Sequence, residues 1–133
     1  MGLVHAKILL SNPREKKLKS MEVKALADTG ALHLCVPDHV ALQLELEEIY
    51  KREVITADGR KHLCPYVGPV EITFENRGCF TGAIVIGDEV ILGAVPMEDM
   101  DLVVAPAKQT VVVNPESPNI PTSIAKVAAA RTL

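Results

Sequence analysis

Apolar residues in this 133-residue chain recur with a period of two, in short runs cut by turn signals. In "LVHAKILL" Val4, Ala6, Ile8 and Leu10 fall on one side, with His5 and Lys7 on the other. "VEITFEN" sets Val70, Ile72 and Phe74 against Glu71, Thr73 and Glu75. Successive side chains of a strand point to opposite faces, so each run predicts a strand with one face in a core. Two continuous β-branched runs, "AIVIG" and "TVVVN", predict strands covered on both faces. Breaks at Asn12-Pro13, Asp58-Gly59, Asn76-Arg77-Gly78, Gly87-Asp88 and Asn114-Pro115 keep the runs short. Many short strands with frequent turns predict an all-β barrel or sandwich, and the length predicts one domain. Only 3% of residues are aromatic and none is Trp, so the core must be aliphatic.

Helix is confined to two places. "PDHVALQLELEE" opens with Pro37 and Asp38 and can set Val40, Ala41 and Leu44 in one stripe. "VPMEDM" suits a single short turn. Between them, Asp58-Gly59 predicts a two-residue type I′ hairpin. Its flanks are charged (Lys51, Arg52 and Glu53 before; Arg60, Lys61 and His62 after), so the hairpin is expected to project from the barrel. From Pro115 the chain turns proline-rich and then alanine-rich, which excludes a central strand. Residues 115–133 are expected as a surface tail with a frayed helical end.

The formal charge is −3, and the densest basic run, "REKKLK", is broken by Glu15. With so few aromatics to stack on bases, nucleic acid is not an expected partner. The N-terminal "MGLVHAKILL" lacks the pattern of a signal peptide, and Ala6 breaks the myristoylation pattern. No apolar run nears the roughly 20 residues that span a bilayer. Three cysteines give no disulfide framework, and a cytoplasmic location without membrane attachment is expected.

One stretch carries chemistry. In "ALADTGALHLCV", Ala25 to Val36, the strand "MEVKALA" runs into Asp28 and a second strand, "LHLCV", is expected to leave after Gly30. Asp28 is expected at a sharp turn, partly buried, and is either a turn residue or a working carboxylate. Thr29 offers a hydroxyl, Gly30 a close backbone approach, and Ala31 room beside it. Asp58 and Asp88 lie in turns, and Asp99 and Asp101 are expected to be exposed.

The surroundings of Asp28 resemble the active-site motif of the retropepsin-like aspartic proteases. Leu26-Ala27-Asp28-Thr29-Gly30-Ala31 fits that pattern position by position, and Ile91-Leu92-Gly93 before "VPMEDMD" matches the family's second motif. "EVITADGRKHLCPYVG" stands where the family has its flap, and "TVVVN" where it has a terminal strand. The resemblance covers about residues 3–114 in order. It implies a closed β-barrel with a flap hairpin and one or two short helices, residues 1–114 as the protease domain and 115–133 as a tail. Leu32-His33 departs from the acidic residues that some viral members carry there.

The resemblance also implies an activity, aspartic-type endopeptidase. Such chemistry uses two carboxylates sharing one proton. The chain has a single Asp-Thr-Gly, so the resemblance implies a homodimer with Asp28 of each subunit at the two-fold axis. Thr29 would brace the paired loops, while Gly30 and Ala31 would expose backbone to a polypeptide substrate bound as an extended strand. Ala57, Asp58, Gly59 and Arg60 would form the flap tip. Ile91, Leu92 and Gly93 would pack beneath the active-site loop. No cofactor and no metal is implied.

Two rival readings stand beside this one. "HLC" occurs twice, as His33-Leu34-Cys35 and His62-Leu63-Cys64, and the pairs could build a Cys2His2 zinc site, although the usual ligand spacing is absent. The other rival is a dimeric peptide-binding module of the same fold that cleaves little or nothing.

Overall fold

The computed structural model describes residues 3–105 and 107–126. Its elements are β1 (His5–Ser11), β2 (Met21–Ala27), β3 (Leu34–Val36), α1 (Asp38–Gln43), β4 (Glu47–Ile55), β5 (Lys61–Phe74), β6 (Arg77–Val85), β7 (Ile91–Leu92), α2 (Ala94–Asp99), β8 (Leu102–Ala105) and β9 (Thr110–Val113). One sheet runs β4-β5-β6-β3-β7-β2-β1-β9-β8. A further pairing of β1 with β5, from Leu9↔Thr73 to Ser11↔Glu71, brings the sheet back on itself as a barrel. No helix of the described residues is long and apolar enough to cross a membrane.

The alternating strands form as their period dictates. Ala6, Ile8 and Leu10 of β1 point inward and are buried, as are Val70 and Ile72 of β5. They meet Ala25, Leu34, Val36, Leu92 and Met100 in one aliphatic core. The stripe of α1 also points inward, with Val40, Ala41 and Leu44 all buried. The helix is shorter than its stretch of sequence suggests. Glu45 takes a positive φ of 51°, and Glu47 already pairs with Gly68 in the sheet.

Three local expectations are corrected. "TVVVN" is not covered on both faces: Val111 is buried, but Val112 and Val113 are only partly so, because β9 lies next to the free edge strand β8. The turn between β5 and β6 is Glu75-Asn76, with Glu75 at φ 51°, so Arg77 is a strand residue and is buried. The flap turn is not two-residue type I′. Thr56 N–H donates to the Arg60 carbonyl (3.0 Å), Gly59 N–H donates to the Thr56 carbonyl (2.9 Å), and at the tip only Gly59 has positive φ, 81°. Asp58 stabilises this wider loop by accepting from the Thr56 hydroxyl (2.5 Å) and from Arg60 N–H (3.0 Å).

Beyond β9 the chain lies across the barrel as a strap. Asn76 Nδ2 donates to the Pro118 carbonyl (3.0 Å), and Arg77 Nη2 donates to the Ser117 carbonyl. Asp101 is the other anchor. It accepts from the Ser117 hydroxyl, from Thr122 N–H (2.9 Å) and from Asn114 Nδ2 (3.0 Å). These bonds, the Ser117 hydroxyl first, hold the Asp101 carboxyl down at about 2. Contrary to the sequence expectation of an exposed residue, Asp101 is partly covered, because the strap closes over it. The expected frayed helical end lies largely outside the described residues.

Candidate active site

The turn carrying Asp28 is clamped from beneath by β7. This two-residue strand lies between β2, which it pairs in parallel (Leu26↔Ile91, Ala27↔Leu92), and β3, which it pairs antiparallel (Cys35↔Ile91). Leu26 N–H donates to the Val90 carbonyl (2.9 Å) and Asp28 N–H to the Leu92 carbonyl (3.0 Å). Past the turn, Ala94 N–H reaches the Ala31 carbonyl (2.8 Å) and Val95 N–H the Leu32 carbonyl (2.9 Å). Gly93 sits at the point of closest approach. A Cβ there would lie 2.3 Å from the His33 carbonyl oxygen and 2.8 Å from that of Ala31. Only glycine allows two backbones to meet so closely.

Within the turn, Asp28 Oδ1 accepts Gly30 N–H at 2.9 Å, and Ala31 N–H donates to the Asp28 carbonyl at 3.1 Å. These bonds fix the carboxylate outward. Asp28, Thr29 and Gly30 are all exposed in the single chain. The expected partial burial of Asp28 is therefore not met by this chain alone, because the turn crowns the barrel. The second strand also starts later than expected, at Leu34, since the Ala31 and Leu32 carbonyls are occupied in backbone bonding to Ala94 and Val95. Leu32 and Val95, bonded through their backbones beside the turn, are 58% and 43% exposed.

The flap tip, Ala57 to Arg60, is exposed. Behind it, Cys35, Cys64 and Ile84 form a buried apolar cluster, flanked by Val54, Tyr66, Ile86 and Ile91. Burial pushes the Cys35 thiol up, and neighbouring Cys64 and Asp28 add to the effect; burial likewise pushes up Cys64. The two cysteines of the "HLC" repeats thus share a cluster, but their histidines do not join them. His33 Nε2 lies 2.8 Å from Arg52 Nη1, and His62 Nε2 lies 3.2 Å from the Thr56 hydroxyl. Among the described residues no group of three or more His, Cys, Asp or Glu could hold a metal.

Sequence reasoning missed one cluster. The Arg52 guanidinium lies over the Tyr66 ring, 4.6 Å from its centroid, while His33 meets the ring edge-on at 6.1 Å. Burial, and then the Arg52 charge, hold the His33 imidazole below its ordinary value. The sequence signal for this cluster is faint: a cation and an aromatic facing each other diagonally across a hairpin, which needs the strand register to be seen.

No protein-family model matches the sequence, and no curated protein matches it. Solved structures do. The EIAV protease complexed with the inhibitor HBY-793 aligns with a TM-score of 0.56 at 18% identity, over 74% of this chain and 88% of that one. The retroviral protease-like domain of Ddi1 from Leishmania major aligns with a TM-score of 0.54 at 11% identity, over 86% of this chain and 91% of that one. Both alignments take in nearly the whole of the smaller domain at identities where side chains have diverged and only the backbone course is shared. By its barrel, by its flap hairpin and by these matches, the chain has the retropepsin-like fold.

Proposed function

We propose that this protein is an aspartic endopeptidase that acts as a homodimer, with Asp28 of each subunit supplying one of two carboxylates. The observation that carries the reading is the exposed Asp28 turn, fixed by the Val90 to Val95 segment on a retropepsin-like barrel. An ordinary turn aspartate needs no such clamp. Here the backbone of an entire later segment, with a glycine required at its centre, holds one carboxylate outward.

One carboxylate cannot both activate water and polarise the scissile carbonyl. Two brought together share a proton, because a like-charged pair in contact does not ionise twice. The ionised member takes a proton from water as the water attacks; the protonated member donates to the carbonyl oxygen. A second copy of this chain supplies the partner carboxylate if the exposed turns meet on a two-fold axis. Exposed Leu32 and Val95 beside the turn give such an interface apolar surface to cover. In this reading Thr29 braces the paired turns, Gly30 and Ala31 offer backbone to an extended peptide, and Ala57 to Arg60 close over it. Residues 1–114 form the catalytic domain and 115–133 its tail.

The test compares the native chain with Asp28→Asn on a diverse peptide library between about pH 4 and 7, with the oligomeric state followed by sedimentation. The expected result is cleavage by a native dimer and its loss in the variant. Cleavage that survives the substitution overturns the reading. A folded dimer that binds peptides but cuts none would make the protein a binding module.

A further inference from the structure

The inner face of the flap hairpin carries a cation that no carboxylate among the described residues neutralises. Arg52 pairs with Cys64 and Val54 with His62 across β4 and β5, so these side chains share the face that looks onto Cys35 and His33. The ion pairs among the described residues are Lys7–Glu22, Arg14–Glu47, Lys51–Glu48 and Arg60–Asp58; none involves Arg52. The guanidinium is nevertheless held in place. It stacks on Tyr66 and donates to His33 Nε2, at 2.8 Å. Tyr66 in turn lies where a side chain at residue 82 would be: a Cβ on Gly82 would meet the ring at 2.3 Å. The missing side chain at Gly82 is what seats the ring, and the ring seats the cation.

A guanidinium has five N–H donors in a rigid fork that matches a carboxylate. One of them is used on His33. In the peptide cleft proposed above, between the flap and the Asp28 loop, the remaining donors lie on the side of the apolar cluster of Cys35, Cys64 and Ile84. We infer that Arg52, stacked on Tyr66 and anchored by His33, binds the carboxylate of an Asp or Glu side chain on an extended peptide lying in this cleft. An arginine meant only to solubilise the hairpin would need neither contact. Arg52 is instead folded back onto an aromatic ring and an imidazole, which pre-organises it for a planar acidic group.

The inference rests on the peptide-cleft reading of the site, but it has its own readout. Asp28→Asn protein is titrated with fluorescent hexapeptides in which a single Glu is moved through every position, each matched to a Gln control. At one position Glu is expected to bind about tenfold tighter than Gln, the usual effect of a charge-assisted hydrogen bond. Arg52→Gln, in the same background, is expected to bring the pair to parity, and Arg52→Glu to favour Lys at that position. Arg52 is exposed, so these variants should fold, which circular dichroism checks. An unchanged Glu preference in Arg52→Gln, or no position at which Glu is favoured, overturns the inference. The two readings fail separately. Asp28-dependent cleavage indifferent to Arg52 sinks the acidic subsite alone. Arg52-dependent binding without any cleavage by the native chain sinks the endopeptidase alone.

Discussion

Replacing Gly93 by alanine tests whether the Asp28 loop is held from below in the manner described. The added methyl would meet backbone on every near side: the His33 carbonyl oxygen at 2.3 Å, the Ala31 carbonyl oxygen at 2.8 Å and the Leu32 carbonyl carbon at 2.8 Å. None of these atoms can rotate away as a side chain would. To restore ordinary contact the His33 carbonyl must retreat by about 1 Å, and this strains the Ala94–Ala31 and Val95–Leu32 hydrogen bonds. Overpacking of this kind costs about 1–3 kcal/mol, and each weakened backbone bond adds about 0.5–1.5 kcal/mol. A loss of about 3–5 kcal/mol is expected, which for a typical urea m-value moves the unfolding midpoint down by about 2 M. Gly59→Ala serves as the control. Its Cβ meets nothing within 4 Å, and only its φ of 81° is unfavourable, so its cost should stay near 1–2 kcal/mol. The assay is equilibrium urea denaturation of both variants beside the native chain. A Gly93→Ala cost below that of Gly59→Ala would refute the close-approach argument. On the endopeptidase reading, the same variant should also lose activity under conditions where it remains folded.

Two further outcomes follow from the titrating groups. Asp101 titrates at about 2 rather than near 3.8, so its bonds to the strap contribute fully above the ordinary value and are lost as pH falls through the lowered one. Carboxyl NMR should place its midpoint near 2 in the native chain and higher in Ser117→Ala; a native midpoint near 4 would contradict the anchoring. Cys79 is buried in the core, and burial, then Asp99 and Glu71, push its thiol to about 12. Iodoacetamide at neutral pH should therefore leave it unmodified in the native protein and modify it in urea, with mass spectrometry of the digest as the readout.

The parts of the molecule legible in the sequence are those that a single strand or a single turn decides. The alternation of Val4, Ala6, Ile8 and Leu10 needs only the period of a strand, and that face is the one the core receives. The stripe of Val40, Ala41 and Leu44 likewise needs only a helix. What stayed hidden depends on which strands lie side by side. Arg52 and Tyr66 look unrelated until the register of β4 on β5 is known, and His33 joins them only because β3 is threaded next to β6 and β7. Arg77 reads as a turn cation, yet it is buried, because the turn sits one residue earlier and a distant strap lies over it. The flap turn failed for a local reason. Asp58 can serve a two-residue turn, but here its carboxylate is taken by the Thr56 hydroxyl and Arg60 N–H, which favours the wider loop.

The threading of β7 also has a consequence for biogenesis. Asp28 is synthesised before the backbone that shapes its turn, Val90 to Val95, which arrives far later in the chain. Contacts so distant in sequence form only after the intervening strands have been made and folded. A nascent or prematurely ended chain therefore carries the aspartate without its loop. If Asp28 is the catalytic group we propose, a half-made copy is harmless to the polypeptides around it, and the hydrolytic site exists only in a molecule whose barrel has already closed.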